Sequence, residues 1–442
     1  MKKKRLLSLA FSLAIIQGAW AQTSKMSLRD CLIYARNHAF VNRSNRLAVE
    51  QSRMDKRIQA AEMLPYIGVG TSGNMNWGRG VDPETNTYAT RKTFNNGYSL
   101  SMNLPLFDGF VSLNNYRAAR MTELCQKKAA ENDADQISLA VIKAYYNIMY
   151  HTALVRQVES LLESDQQNLA ITERQEQLGS KSGADVDAVK AMVASDEYEL
   201  LNQKNLRRKA MMELKAQMGM PVDEELEVDD EDTLAPCLSM AEEQNSSFPF
   251  THPRIMQAQY SLKRSRYLLN SAYGDFMPTL SLNGGFSTSY YKVFGNDYDT
   301  PRFSTQWHNN MGQYIGFSLS VPLFNGFANI NRLKRAKYSY RQQQVELDKT
   351  KYEVEREMSE ALLDVKSSQS EWNAAQAQVT AQERANHAMQ RKYELGGVSA
   401  FDLYTSNSKL AEARATLVGK KIQTAVNIII YEYYQGKPLI SE

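Results

Sequence analysis

The chain has 442 residues, with 52 Lys and Arg against 49 Asp and Glu, a formal net charge of +3 and 43% hydrophobic residues. So near a balance gives no electrostatic case for nucleic acid, and no apolar run approaches the roughly 20 residues of a membrane helix. If the chain spans a membrane, it does so with strands.

Residues 1–5 are basic, 6–16 are apolar, and Ala19-Trp20-Ala21 forms an A-x-A cleavage site. That order reads as a secretory signal peptide over 1–21, with Gln22 starting the mature chain and no Cys there to carry a lipid. Removing four basic residues leaves a net charge of about −1. The three Cys (Cys31, Cys125, Cys237) are widely spaced and odd in number, so they read as small buried residues rather than a disulfide framework.

Residues 27–64 read as one helix ending at Pro65. A strand over about 66–77 follows, with Ile67, Val69, Thr71, Met75 and Trp77 on one face and Gly68, Gly70, Ser72, Asn74 and Asn76 on the other. After a polar loop over 78–92, a second strand over about 93–105 sets Phe94, Tyr98, Leu100, Met102 and Leu104 against Thr93, Gly97, Ser99, Ser101 and Asn103. It ends in LPLFDGF, where Pro105 belongs at a strand end and Gly109 eases the turn into a helix.

A helical hairpin over 110–218 comes next. Its first arm carries Ile137, Val141, Ala144, Ile148, His151, Val155, Val158 and Leu162 at alternating steps of four and three, a heptad seam. At 1.5 Å per residue this arm is about 100 Å long, beyond what a globular core needs. Residues 221–250 are strongly acidic at first and lack periodicity; they read as a linker with a solvated charge run rather than a cation site.

The plan then repeats. LPLFDGF at 104–110 returns as VPLFNGF at 321–327, and RQEQLGSKSGADV at 174–186 returns as RKYELGGVSAFDL at 391–403, both at an offset of 217 positions. The chain is therefore an internal duplication, with repeats over 22–220 and 251–442. In the second copy a helix over 252–276 ends at Pro278. Strands over about 279–291 and 312–323 flank a loop at 292–310, and a second helical hairpin occupies 327–435. Leu280, Leu282 and Phe286, then Ile315, Phe317, Leu319, Val321 and Leu323, form the apolar faces. Gly285, Ser281, Ser287, Gly316, Ser318 and Ser320 lie opposite. Val354, Met358, Ala361, Val365, Ser368, Trp372, Ala375 and Val379 repeat the seam.

Strands of about ten residues with one apolar face fit a tilted bilayer crossing. A soluble sandwich would place Lys and Glu on the wet face; Gly, Ser, Thr and Asn suit a crowded, water-filled lumen instead. Four strands cannot close a barrel and open edges are excluded from lipid, so the barrel must be shared between chains, most economically as twelve strands from a trimer. Pro65, Pro105, Pro278 and Pro322 mark the four helix–strand junctions.

The signal peptide, the duplicated helix–strand–strand–helix plan, the PLF-[DN]-GF junctions and the L-G-x-x-S-x-x-D tips resemble the TolC-type outer-membrane efflux protein family over essentially the whole mature chain. The resemblance implies a mainly α fold with membrane β: a trimeric twelve-stranded outer-membrane barrel continued by a long periplasmic α-helical coiled-coil barrel. It implies a passive exit duct in the outer membrane of a Gram-negative bacterium, serving efflux or type I secretion. Its partners would be a periplasmic adaptor and an inner-membrane pump of the RND, ABC or MFS type. The alternative is a structural or adhesive coiled-coil trimer anchored in the outer membrane, which fits the helices but not the wet strand faces.

In each tip, Leu178-Gly179 and Leu395-Gly396 end one helix, and Ser182 and Ser399 cap the next, with Asp185 and Asp402 three residues on completing a capping box. The resemblance assigns these tips to adaptor docking, and Asp185, Tyr393 and Asp402 to a periplasmic gate in which Tyr393 donates to Asp185. Val398 and Thr405 depart from the family's basic latch and second gate acid, which implies a looser gate with a single Asp402 ring. The five His (His38, His151, His252, His308, His387) show no metal-ligand spacing, and no catalytic motif appears. No enzyme activity, metal or cofactor is expected.

Overall fold

The computed structural model describes residues 25–81, 87–229, 251–295 and 300–439. The leader at 1–21, residues 230–250 of the linker and Cys237 lie outside them. The chain forms two compact units. One comprises Met1–Arg46, Ala129–Pro253 and Lys351–Glu442; the other comprises Leu47–Lys128 and Arg254–Thr350.

In chain order the elements are α1 (Leu28–His38), α2 (Phe40–Ala61), β1 (Tyr66–Val81), β2 (Tyr88–Phe107), α3 (Val111–Gln177), α4 (Gly183–Met218), α5 (Pro253–Gly274), β3 (Thr279–Phe294), α6 (Phe303–Asn309), β4 (Gly312–Ser320), α7 (Ala328–Glu394) and α8 (Ala400–Tyr434). The fold is mainly α with one antiparallel sheet of strand order β1-β2-β3-β4.

The first unit is helical and holds the core. Tyr145, Tyr146, Val141 and Ile142 of α3 pack with Cys31 and Leu32 of α1, Leu214 and Met218 of α4, and Ala425 and Val426 of α8. Tyr145 is wholly buried, so its hydroxyl needs an acceptor and donates to the Asp229 carbonyl at 2.6 Å. The same segment pairs with the start of the chain, Met26 N donating to Glu227 O and Asp229 N to Met26 O. Burial among apolar neighbours pushes the Cys31 thiol up to about 12. The α7 seam is buried at Val354, Ala361, Ser368, Ala375 and Val379, which are seven or four residues apart.

The helix expected over 27–64 is two helices. Ala39 leaves the helical region at φ −53°, ψ 134°, and the Ala35 carbonyl, which still accepts from Ala39 N, also accepts from Asn42 Nδ2. The break lies where Gly219, at the end of α4, comes so close that a Cβ there would sit 2.8 Å from the His38 carbonyl oxygen.

The second unit contains the sheet. β1 and β2 run farther toward their connecting turn than the alternation alone delimits, because Gly and Arg in the last turns keep pairing: Arg79 lies opposite Thr90, and Val81 opposite Tyr88. β4 stops at Ser320 rather than 323. Its only neighbour, β3, begins at Thr279 opposite Ser320, so 321–323 have nothing to pair with. Pro105 sits inside β2 rather than at its end, at a register shift between Pro105 and Phe107 that accommodates its missing N–H. The loop expected over 292–310 contains α6, whose Gln306 side chain caps the Tyr291 backbone on both N–H and C=O.

Candidate functional site

Three features carry chemistry: the sheet, its junctions with the helices, and the two helical tips. In the sheet, register sorts the residues into two faces. Val69, Leu100 and Phe286 lie in one row, and Leu104, Leu282 and Phe317 in another. The opposite face aligns Gly70, Ser99, Ser287 and Gly312. The four strands contain no Asp or Glu. Their basic residues, Arg79, Arg91, Lys92 and Lys292, all lie at the end farthest from the helix junctions. There Lys92 Nζ stands 5.6 Å from the Trp77 ring and 5.3 Å from Phe294, and Arg79 stands 5.6 Å from Tyr88.

Much of the apolar face is bare: Val69 is 85% exposed and Ile315 76%. Among the described residues α6 covers part of it, with Phe303 and Trp307 against Tyr98 at 6.1 and 5.0 Å. Among the described residues β1 and β4 each have one neighbouring strand, so each offers a row of unpaired backbone groups. Such a surface is an aggregation template in water; it is stable where lipid covers the apolar rows and further strands close the edges.

The PLF-[DN]-GF junctions build the same turn twice. Asp108 Oδ2 accepts from Ser112 N at 2.7 Å, and Asn325 Oδ1 from Asn329 N at 3.4 Å. Gly109 and Phe110 are both left-handed, at φ 70° and 64°, as are Gly326 and Phe327 at 65° and 65°. A left-handed Phe is costly. Each makes an edge-on ring contact with the Phe three residues earlier: Phe110 on Phe107 at 5.1 Å, Phe327 on Phe324 at 5.5 Å. Pro65 and Pro278 directly precede β1 and β3, Pro105 lies two residues inside the end of β2, and Pro322 lies between β4 and α7.

The tips are also twins. Gly179 N donates to Glu176 O and Ser180 N to Gln175 O; at the other tip Gly396 N donates to Tyr393 O and Gly397 N to Lys392 O. This is the Schellman pattern, and it needs the left-handed φ of 77° and 72° found at the two glycines. Both capping boxes form: Asp185 N donates to Ser182 Oγ at 3.3 Å and Ser182 N to Asp185 Oδ2 at 3.0 Å, and Asp402 N donates to Ser399 Oγ at 3.2 Å and Ser399 N to Asp402 Oδ2 at 3.1 Å. Hydrogen bonds from the Ser182 backbone and side chain lower the Asp185 pKa; those from the Ser399 side chain and backbone lower that of Asp402. Both carboxylates are therefore charged at neutral pH and face solvent. Leu178 and Leu395 stand beside them, 75% and 87% exposed.

Tyr393 is half-buried, and the Lys181 Nζ lies 5.8 Å from its ring. Among the described residues of one chain Tyr393 makes no hydrogen bond to Asp185, whose Oδ2 accepts from Ser182 N and Oγ. Thr405 donates to the Phe401 carbonyl of its own helix. A buried carboxyl pair, Asp165 and Asp196, was missed by sequence reasoning; each sits among polar neighbours in a helix, and no periodicity marks it.

A duplicated helical-hairpin protein with an amphipathic, acid-free, unclosed sheet defines the class of strand-anchored membrane channels. The model of the family described as outer membrane efflux protein matches residues 35–220 and 251–427, and the chain belongs to that family. The cation efflux system protein CusC of Escherichia coli is 22% identical over 396 residues, covering 88% of this chain and 82% of CusC. The probable efflux pump outer membrane protein TtgC of Pseudomonas putida is 23% identical over 439 residues, covering 94% and 82%. A CusC crystal structure superposes with a TM-score of 0.80 at 20% identity, over 96% of each chain. These likenesses fix the fold.

Proposed function

We propose that this chain is one third of an outer-membrane exit duct. Three copies pair β4 of one with β1 of the next and close a barrel of twelve strands, with the apolar face toward lipid and the Gly, Ser and Asn face toward water. The helical hairpins continue the duct in the periplasm. The observation that carries this reading is the sheet: two open edges, one largely bare apolar face and no acidic residue, in a chain of this family.

The tips are assigned to a periplasmic adaptor that links the duct to an inner-membrane pump. Exposed Leu178 and Leu395 offer apolar contact, and the Schellman turns hold them on a rigid frame. Asp402, three to a trimer, forms the carboxylate ring of the entrance, with Asp185 beside it. Converging carboxylates favour cations in a narrow passage. Because both caps lower the carboxylate pKa, the ring stays charged across neutral pH and discharges only well into acid.

Single-channel recording of the purified protein in a planar bilayer tests the duct: ohmic conductance is expected, and a protein that inserts but never conducts would overturn it. Cysteines at Ser99, Ser281 or Ser318 should react with aqueous thiol reagents in the assembled protein, while those at Leu100, Leu282 or Phe317 are shielded by lipid. Asp402→Ala should reduce cation selectivity at pH 7; unchanged selectivity would leave Asp402 as a cap alone.

A further inference from the structure

Asp165 of α3 and Asp196 of α4 face each other inside the first helical hairpin. They are 3% and 5% exposed, and their carboxyl groups lie within hydrogen-bonding reach of one another. Asn168 Nδ2 donates to Asp165 Oδ1 at 3.3 Å, while Oδ2 of each aspartate has no donor among the described residues. Among the described residues no Lys, Arg or His acts on either group: the partners of Asp165 are Asp196 and Asn168, and the partner of Asp196 is Asp165. Asp165 also lines a cavity of about 10 Å³, room for about one water molecule. Its other walls are Asn168, Val189 and Met192 of the same hairpin and Tyr393, Leu403, Tyr404 and Asn407 of the second hairpin. Among the described residues, the titratable groups that α7 and α8 contribute to this cavity are the two tyrosines.

The duplication provides a control. At an offset of 217 positions, Asp165 corresponds to Gln382 and Asp196 to Ala413, and Ala413 is 2% exposed. The second hairpin therefore packs the same position without any acid, so the fold of a hairpin does not require the pair.

We propose that Asp165 and Asp196 hold one proton between them, and that losing it loosens the contact between the two helical hairpins. Two carboxylates in contact, with no cation nearby and little water, cannot both be ionised cheaply; one shared proton supplies the missing donor and removes half the charge. Burial is the first cause raising both groups, and with the neighbouring carboxyl it lifts Asp196 to about 7. The folded-state pKa is raised above the free value of 3.8. The contact is therefore strongest in acid, weakens as pH rises from about 4 to 7, and changes little above that. The proton acts as a ligand that fastens one hairpin to the other a few turns above the tips. This inference does not depend on what the duct carries.

The test is hydrogen exchange on the assembled protein at pH 5.5 and 8.5, corrected for the intrinsic pH dependence of exchange. Peptides spanning 158–172, 189–200 and 400–411 should open roughly 30-fold more often at pH 8.5 than at pH 5.5, the factor expected because pH 5.5 lies about 1.5 units below a pKa near 7. The double substitution Asp165→Gln, Asp196→Ala copies the second hairpin and so should fold; it should flatten that ratio to about one. Asp196→Asn, which supplies a permanent donor, should hold the slow exchange of pH 5.5 at both values. An infrared band of protonated carboxyl that disappears with a midpoint near 7, and is absent from Asp196→Asn, reports the proton directly. Equal opening at both pH values in the unmodified protein, or the same pH ratio in the double variant, overturns the proposal. Either result leaves conductance, and hence the duct reading, to stand on its own measurement.

Discussion

The two copies of the repeat share backbone turns down to matching φ angles, yet their surroundings differ, and the contrast is sharpest at the strand–helix junctions. Gly109 meets Gly274 so closely that a Cβ on either would lie 2.5 Å from the other's carbonyl oxygen. Gly326, the same motif glycine with the same left-handed φ, has nothing within 4 Å of its would-be Cβ. The first junction lies beside α5 and β3 of its own chain; the second follows the edge strand β4. The difference teaches that an internal duplication builds one complete repeat-to-repeat contact and leaves the second half-made. In the trimer proposed above, the next chain's α2 and β1 complete it.

The largest expected effect breaks this comparison at the glycines. Gly109→Val should cost on the order of 4 kcal/mol, combining left-handed strain with a backbone clash that nothing flexible can relieve. Gly326→Val should cost only about 1–2 kcal/mol of strain in an unassembled chain, with further loss appearing when chains assemble. Thermal unfolding of monomer and trimer fractions separates the two costs. Equal losses in the monomer would mean the junctions are not distinguished by packing.

Next in size are lysines placed on the two sheet faces. Phe317→Lys on the edge strand and Leu282→Lys on an inner strand should each lose about 2–4 kcal/mol of membrane stability near the midplane. Ser318→Lys, on the other face, should insert normally and alter conductance. A lysine tolerated at Phe317 and rejected at Ser318 would invert the faces. The smallest effect sharpens the likeness of the copies: Ser182→Ala and Ser399→Ala each remove a capping box and should cost about 1 kcal/mol apiece. Calorimetry should find them equal within error. A markedly larger loss at Ser399 would mean that the second tip does more than turn the chain.

Much of this molecule is legible in its sequence because its elements are periodic. Alternation set the inner parts of all four strands, and the heptad seam set the long helices. The offset of 217 set the duplication, and L-G-x-x-S-x-x-D set both caps, since each depends on residues within a few positions of one another. Tertiary structure decided what depends on neighbours remote in the chain. Helix 27–64 broke at Ala39 because Gly219 approaches it from 180 residues away. β4 ended at Ser320 because its partner begins there, and Pro105 stayed in β2 because a bulge absorbs its missing donor. Asp165 and Asp196 met because α3 and α4 fold back on one another, which no local pattern announces. The Asp185 bond to Ser182 was legible because a capping partner three residues away is fixed by the helix, whereas any partner 208 positions away must be brought by packing.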